Sequence, residues 1–238
     1  MNSVRQSQDK KNTGDIGVVI VAAGMSTRMS ETDKIFAKLG DKEVIAYSLS
    51  VFNNSPLIGS IILVLNTASV SLGKKLVKDY GFDKVSKVIT GGRRRQDSVL
   101  LGLKEIDGFD IVMVHDGARP FINLNILQLG KDAVRETGAA IPVIPLEDSI
   151  KSVDSKGLVI DNVDREKLWL VQTPQVFYYD IIFESHNKIS EDVTDDSSMV
   201  QLNDGKVSIF EGLKDNIKLT TLSDYSLAES ILIYKNQE

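Results

Sequence analysis

The chain has 238 residues, of which 42% are hydrophobic and 26% are charged, and its formal net charge is −5. This length suits one large α/β domain or a domain with a small appendage, and the acidic balance argues against nucleic acid or a membrane surface as a partner. The chain has no cysteine, which excludes disulfides and a thiol nucleophile and fits a cytoplasmic location, and no apolar stretch approaches the roughly 20 residues of a membrane span.

Residues 1–15 are polar, and we expect them to form a disordered tail; they also lack the apolar core of a signal peptide. Residues 16–238 are expected to form a single domain. Its first element is a strand over residues 16–22, since Val18 to Ala22 form the apolar, β-branched run of a buried parallel strand.

A turn of small residues follows this strand. Ala22, Ala23 and Gly24 let the backbone approach a ligand closely, and Gly24 is free to take a positive φ. The N–H groups of such a turn, with a helix starting near Thr27, form a concavity for anions.

Two cations follow the turn. Arg28 offers a fork of donors suited to phosphate, and Lys34 adds a mobile cation. We therefore predict a site that binds a nucleoside triphosphate. The alternative is that these residues form only a tight strand-to-helix loop with a surface arginine. The turn is neither a P-loop nor a Gly-x-Gly-x-x-Gly motif, which disfavours ATPases and dehydrogenases.

Helices and strands then alternate along the chain. Helices are predicted over residues 43–53, 69–80, 97–106 and 124–136, and strands over residues 60–65, 87–90, 110–114 and 139–144. This alternation predicts an α/β protein with a doubly wound, mostly parallel, Rossmann-like sheet. Ligands of such sheets bind beyond the carboxyl ends of the strands.

The alternation stops between Pro145 and Pro174. Residues 148–153 and 158–161 alternate polar and apolar side chains around a turn at residues 154–157, which predicts an antiparallel hairpin. A hairpin of this size cannot build its own core. We therefore expect this protruding β-arm, residues 146–174, to pack against a second protomer in a homodimer; folding back onto its own domain is the alternative.

Helices are predicted again over residues 178–189 and 194–203, followed by a strand over residues 207–211. The last helix is predicted over residues 224–234, with Ser223 as its N-cap.

A glycine- and arginine-rich loop precedes the helix predicted over residues 97–106, with the sequence Gly91-Gly92-Arg93-Arg94-Arg95-Gln96-Asp97-Ser98. Positive charge at a helix N-terminus opposes the helix dipole, so three arginines there are unfavourable without anions. This pattern favours a loop that binds the base and the phosphates of a nucleotide. The alternative is a glycine turn followed by a solvated basic helix start.

Asp116 stands at the carboxyl edge of the strand predicted over residues 110–114, where a ligand is expected. A carboxylate facing a triphosphate needs a cation between them, and Mg²⁺ takes one or two carboxylates plus phosphate oxygens. Arg119 is close enough to be a second phosphate donor, although it could instead pair with Asp116. With only two histidines in the chain, a histidine metal site is not expected.

Two further positions remain ambiguous from the residues alone. Lys218 is flanked by apolar residues, so its ammonium points either into a site or to solvent, as a lone lysine usually does. Thr194 is a good N-cap, and the acids at 195 and 196 suit a first helical turn.

Seven ordered motifs between about Ile16 and Leu232 make the chain resemble the 2-C-methyl-D-erythritol 4-phosphate cytidylyltransferases of the non-mevalonate isoprenoid pathway. They are Ala22-Ala-Gly-x-x-x-Arg28-Met29, Gly91-Gly-x-x-Arg-x-x-Ser98, Val114-His-Asp-x-Ala-Arg-Pro120, Asp164-Arg165, Thr173-Pro-Gln-x-Phe177, Thr194-Asp195 and Asp215-Asn-Ile-Lys218-x-Thr220. The resemblance implies a nucleotidyltransferase fold, the use of CTP and Mg²⁺, and a homodimer clasped by the β-arm.

The resemblance also implies a role for each matching residue. Those that would hold the triphosphate are Ala22, Ala23, Gly24, Arg28 and Lys34, and those that would read cytosine and ribose are Gly92 and Ser98. Asp116 would bind Mg²⁺ and the substrate polyol. The methylerythritol phosphate pocket would be lined by Thr173, Thr194 and Lys218, with Ser149 and Arg165 contributed by the partner subunit. The departures from the family pattern are Ser26, Asp33, Gly117 and Ser149.

The implied reaction is the in-line transfer of CMP from CTP to a phosphate oxygen of the substrate, with Lys34, Lys218, Arg28 and Mg²⁺ stabilising the developing charge. The attacking phosphate is already ionised, so no strong base is needed. A rival is a ribitol 5-phosphate cytidylyltransferase, which more often carries glycine where this chain has Ala23. A rival of another class is a non-catalytic nucleotide-binding regulator.

Overall fold

The structure, a computed structural model, describes residues 14–24, 34–235 and 237 of the chain. The strands of this part are β1 (Ile16–Ala22), β2 (Lys38–Leu39), β3 (Lys42–Glu43), β4 (Ile58–Leu65), β5 (Val85–Thr90), β6 (Ile111–Asp116), β7 (Ala139–Pro145), β8 (Ile150–Val153), β9 (Val159–Val163), β10 (Trp169–Val171), β11 (Gln175–Tyr178) and β12 (Ser208–Glu211). The α-helices are α1 (Val44–Asn54), α2 (Val70–Tyr80), α3 (Arg95–Glu105), α4 (Leu124–Thr137), α5 (Tyr179–Lys188), α6 (Asp196–Leu202) and α7 (Leu222–Lys235).

The central sheet has eight strands, in the order β10-β7-β11-β6-β1-β4-β5, with β12 paired to β7. The pairs β1–β4, β1–β6, β4–β5 and β7–β12 are parallel, whereas β11 and β10 run antiparallel to their neighbours. The prediction of an α/β fold with a mostly parallel sheet is therefore confirmed.

Strand β1 is buried on both faces, as its apolar run predicts. Val18 and Ile20 belong to the core packed by α1, α2 and α4, and Val19 and Val21 belong to a second core packed by α3, α5 and α6. Because successive side chains of a strand point to opposite faces, helices cover both sides of the sheet.

Register brings three connections together at one edge of the sheet. Val21 is paired with Asp116 at the end of β6, and Ala22 with Leu65 at the end of β4. Leu65 is paired in turn with Thr90, the last residue of β5. The turns after β1, β5 and β6 therefore meet at the carboxyl edge, where parallel sheets place their ligands.

Each helix and strand predicted after residue 34 is present, with ends within two residues of the prediction. The helix predicted near Thr27 lies outside the described residues. Two N-cap predictions were wrong. The capping residue of α6 is Asp195, not Thr194. At the start of α7, Asp224 accepts from the Thr221 N–H at 2.7 Å and its own N–H points to the Thr221 hydroxyl, so Ser223 lies inside the helix.

The predicted arm, residues 146–174, includes β10 of the central sheet, and its hairpin is a separate two-stranded sheet formed by β8 and β9. Its turn is held by the Asp154 carboxylate, which accepts from the N–H groups of Lys156 and Leu158 at 2.9 Å, and by Gly157 with φ +80°. Four of its apolar side chains are more than half exposed in this chain: Val153, Leu158, Val159 and Ile160. The arm thus presents apolar surface that nothing in the described chain covers.

None of the helices in the described ranges combines the length and the apolar character needed to cross a bilayer.

Candidate active site

Two adjoining cavities open at the carboxyl edge of the sheet. The first, of about 260 Å³, lies between the turn after β1 and the start of α3. The second, of about 360 Å³, lies between β6, the segment before β11 and α6. Arg95, Asp116 and Lys218 line both, so these three side chains form a shared wall between the cavities.

The first cavity contains most of the residues predicted to bind nucleotide, namely Ala22, Ala23, Gly24, Gly92 and Ser98. A Cβ built on Gly24 meets no atom within 4 Å, so this residue borders open space. Its φ is outside the left-handed region, so its freedom to take a positive φ is not used. What glycine provides here is room for a ligand to approach the backbone.

The glycines of the following loop are required by packing. A Cβ on Gly91 would lie 2.5 Å from the Ala23 Cβ, and one on Gly92 would lie 2.4 Å from the Asp97 Cβ. The Ser98 hydroxyl accepts from the Gly92 N–H at 3.1 Å and lies 3.2 Å from the Arg94 carbonyl oxygen, to which it donates. Ser98 therefore fixes the shape of the loop that lines the cavity.

The three arginines of this loop have different surroundings. Arg94 binds Asp97 at 2.7 Å and Asp192 at 2.8 Å, and Asp97 accepts from its backbone N–H, which completes a cap for α3. Arg93 is exposed, and no described residue forms an ion pair or hydrogen bond with its side chain. The anions that Arg94 binds are therefore carboxylates of this chain.

Arg95 bridges two carboxylates. Its Nε donates to Asp116 Oδ1 at 2.9 Å and its Nη1 donates to Asp196 Oδ2 at 2.7 Å. The sequence alone does not indicate the role of Arg95 and is explained at Asp196 by a helix start, because Arg95 and Asp196 lie far apart along the chain.

Asp116 is the centre of the shared wall. Lys218 Nζ lies 2.8 Å from its Oδ2, while Arg95 holds its Oδ1. Burial alone would raise the pKa of this carboxyl, but the charges and hydrogen bonds of Arg95 and Lys218 lower the pKa well below its ordinary value. Asp116 is therefore ionised. The Arg119 Nε is 4.0 Å from Oδ2, so Arg119 is the most distant of these three cationic neighbours.

A buried threonine and histidine fix the backbone of Asp116. The Thr173 hydroxyl oxygen accepts from the Asp116 N–H at 3.1 Å and lies 2.9 Å from His115 Nδ1. His115 Nε2 is 3.1 Å from the Arg119 carbonyl oxygen, which can only accept. His115 therefore carries its proton on Nε2, and its Nδ1 accepts from the threonine hydroxyl.

This arrangement predicts a pH-dependent stability. Burial lowers the pKa of His115 from 6.5 to about 4. Between these two values the unfolded chain binds a proton that the folded chain does not, so the free energy of unfolding falls as pH drops. Between about pH 7 and pH 5, we expect protonation of His115 in the unfolded chain to lower the free energy of unfolding by about 2 kcal/mol. In urea unfolding at both pH values, the free energy of unfolding should fall less in His115→Gln than in the unsubstituted protein. An equal decrease in the two proteins would contradict the prediction.

The second cavity contains the residues predicted to bind the polyol phosphate: Asp116, Thr173, Thr194 and Lys218. It also contains Arg119, predicted as a nucleotide contact. Arg119 Nη1 donates to the Asn216 carbonyl at 2.7 Å, which holds it on this side of the wall. Its guanidinium is thus placed to meet a ligand of the second cavity rather than the first.

Two of the remaining four predicted residues lie outside both cavities, and the side chains of the other two are outside the part of the chain that the structure describes. Ser149 and Arg165 are exposed residues of the arm and line neither cavity, and Arg165 Nη1 donates to the Glu147 carbonyl. Arg28 lies outside the described residues. The backbone of Lys34 opens a 3₁₀ helix, Lys34–Phe36, and its neighbour Ile35 lines the first cavity.

The described ranges contain no group of three or more histidine, aspartate or glutamate side chains that could hold a metal by themselves. Among the described residues, Asp116 is the one carboxylate that lines the first cavity. Each of its oxygens accepts one hydrogen bond and keeps a further lone pair. This donor set fits Mg²⁺, which is often held by one carboxylate together with phosphate oxygens and water.

The parallel sheet, the small-residue turn and the basic cavity beside a second polar cavity define an α/β nucleotidyltransferase. A sequence model of the 2-C-methyl-D-erythritol 4-phosphate cytidylyltransferase family matches residues 16–234. The chain belongs to this family, as its motifs predict. The activity of the family is CTP-dependent cytidylyl transfer to 2-C-methyl-D-erythritol 4-phosphate in isoprenoid biosynthesis.

Individual relatives support the same assignment. The chain is 44% identical over 217 residues to the 2-C-methyl-D-erythritol 4-phosphate cytidylyltransferase of Dehalococcoides mccartyi strain 195. The match covers 91% of this chain and 96% of the relative. It is 39% identical over 220 residues to that of Clostridium botulinum strain 657, covering 90% and 96%.

Solved structures agree with the sequence relatives. The 4-diphosphocytidyl-2C-methyl-D-erythritol synthase of Anaerococcus prevotii superposes with a TM-score of 0.81 at 27% identity, covering 93% of this chain and 99% of that one. The 2-C-methyl-D-erythritol 4-phosphate cytidylyltransferase of Thermus thermophilus superposes with a TM-score of 0.76 at 28% identity, covering 91% and 98%.

Proposed function

We propose that the first cavity binds CTP and the second binds 2-C-methyl-D-erythritol 4-phosphate, and that reaction takes place across their shared wall. The observation that carries this assignment is that Arg95, Asp116 and Lys218 line both cavities. A phosphate oxygen of the polyol substrate attacks the α-phosphorus of CTP, the bond to the β-phosphate breaks, and pyrophosphate leaves.

The main obstacle to this reaction is charge, because two anions meet and the transition state spreads negative charge over the phosphoryl oxygens. Lys218 is half-exposed at the wall and is placed to neutralise that charge. Lys34 and Arg28 are proposed to act on the triphosphate. No general base is required, since the attacking phosphate is ionised at neutral pH.

Asp116 is proposed to hold Mg²⁺ and to accept from a hydroxyl of the polyol, and its depressed pKa keeps it charged for both tasks. A Mg²⁺ ion held by Asp116 would offset the negative charge of the phosphates. Thr173 keeps the Asp116 backbone in place, and the Gly92 loop presents backbone groups to the cytosine edge.

The arm is proposed to cross to a second copy of the chain in a cytoplasmic homodimer, placing Ser149 and Arg165 beside the partner's second cavity. The exposed apolar residues of β8 and β9 support this proposal, because a two-stranded hairpin with so much uncovered apolar surface is not stable alone. Ala23, where the ribitol phosphate enzymes more often have glycine, favours the methylerythritol substrate.

The experiment that tests the function incubates the protein with CTP or UTP, Mg²⁺, and either methylerythritol phosphate or ribitol 5-phosphate. We expect pyrophosphate release and a cytidylyl product from CTP and methylerythritol phosphate, and none after chelation of the metal. UTP should react poorly, because a site that pairs with the cytosine amino group leaves polar groups unpaired when uracil binds. A preference for ribitol 5-phosphate would favour the ribitol 5-phosphate cytidylyltransferase. Absence of turnover would favour the non-catalytic nucleotide-binding regulator.

A further inference from the structure

A buried chain of polar contacts runs from the shared wall into the protein interior. Behind Asp116 lies the guanidinium of Arg95, behind Arg95 lies Asp196, and behind Asp196 lies His186, whose Nε2 is 3.2 Å from Asp196 Oδ1. The side chains of Asp196 and His186 are each 1% exposed.

Asp196 cannot touch either substrate. Its neighbours Asp195 and Ser197 line the second cavity, but Asp196 itself lines neither cavity. Its carboxylate contacts the protein interior, where an unpaired charge is costly. Burial would raise its pKa, but Arg95 and His186 lower the pKa below its ordinary value, so Asp196 stays ionised opposite the arginine.

The geometry of the guanidinium explains why two carboxylates are needed. Its planar donors reach Asp116 with Nε and Asp196 with Nη1, so fixing the second contact fixes the direction of the first. Without Asp196, Arg95 would keep one ionic contact and could rotate about it. The donor at Asp116 Oδ1 would then no longer have a fixed direction, while Lys218 would still hold Oδ2.

We infer that Asp196 is a positioning residue of the transfer reaction: by holding the Arg95 guanidinium, it sets the orientation in which Asp116 meets the polyol phosphate. This inference rests on the proposed function of the second cavity. His186 supports Asp196 from the side remote from the substrates.

The test compares Asp196→Asn with Asp192→Asn in steady-state kinetics. Asp192 binds the neighbouring Arg94, is 81% exposed, and undergoes the same chemical change, so it is a matched control. We expect Asp196→Asn to raise the KM for methylerythritol phosphate about tenfold and to leave the KM for CTP within about twofold, because breaking a buried pair displaces its partner. Asp192→Asn should change neither. An unchanged KM for the polyol phosphate in folded Asp196→Asn would overturn the inference.

A double variant separates positioning from a purely structural role and does not require Asp196→Asn to fold alone. If Asp196 acts through Arg95, then Arg95→Gln combined with Asp196→Asn should have kinetic constants within about twofold of Arg95→Gln. A further loss in the double variant would show that Asp196 acts by another route and would overturn the inference. Absence of turnover in the unchanged protein would instead overturn the proposed function, and this inference with it.

Discussion

Lys218→Ala is expected to lower turnover at least ~100-fold, because removal of one preorganised donor at a site of developing charge commonly has an effect of this order. Lys218 Nζ is 2.8 Å from Asp116 Oδ2 and borders both cavities. The fold should survive the change, since Lys218 is 42% exposed and Asp116 keeps its bond to Arg95.

The control for this variant is Lys214→Ala. Lys214 lies in the same segment and is 75% exposed, and its partner is the exposed Glu147. An exposed pair of this kind contributes little to stability, so activity should be unchanged. Initial rates at saturating substrates, with circular dichroism to establish folding, measure both variants. Turnover of Lys218→Ala close to that of the control would remove Lys218 from the proposed chemistry.

Arg165→Ala is expected to abolish measurable turnover at ordinary substrate concentrations and to regain it when mixed with Lys218→Ala. Arg165 lies in the arm and lines neither cavity of its own chain, whereas Lys218 lines both. If the arms cross as proposed, one site of a mixed dimer carries both substitutions and the other carries neither.

The expected recovery follows from symmetry. Random exchange makes about half of the dimers mixed, and one of the two sites in each mixed dimer is intact. About a quarter of the activity of the unsubstituted protein should therefore return. The subunits are mixed under conditions that exchange them, and exchange is verified with tagged chains. No recovery after verified exchange would place Arg165 in its own subunit's site and would contradict the shared-site arrangement.

Much of the fold could be predicted because its signals are local. Strand β1 follows from its β-branched apolar run, and the helices follow from apolar positions repeated at helical spacing. Gly81 and Gly138 end α2 and α4 in the left-handed conformation that glycine favours. These features depend on neighbouring residues and need no knowledge of the rest of the chain.

The elements that were missed depend on distant contacts. Strands β10 and β11 have three and four residues and form only because β7 and β6 supply their hydrogen-bond partners. The short β2–β3 pair requires the turn at Gly40, with φ +63°. At α7 both Thr221 and Ser223 are capping residues by type, and Thr221 prevails because Asp224 stands three positions after it.

The same distinction applies to the site. The turn after β1 and the position of Asp116 could be predicted, because a strand's carboxyl edge is recognisable in the sequence. The pairing of Arg95 with Asp196 could not, since nothing local indicates that residues so far apart share a buried ion pair. An arginine whose charge is unfavourable at a helix start is the one signal that a buried anion lies nearby.

The uncovered apolar residues of the arm have a thermodynamic consequence beyond assembly. A partner that binds this surface only when the chain is folded stabilises the folded state by mass action. If that partner is the second copy proposed above, the melting temperature of the protein should rise with its concentration, and dilution should lower both stability and activity. In the proposed dimer, the stability of the chain would therefore depend on how much of it is present, through the exposed residues Val153, Leu158, Val159 and Ile160.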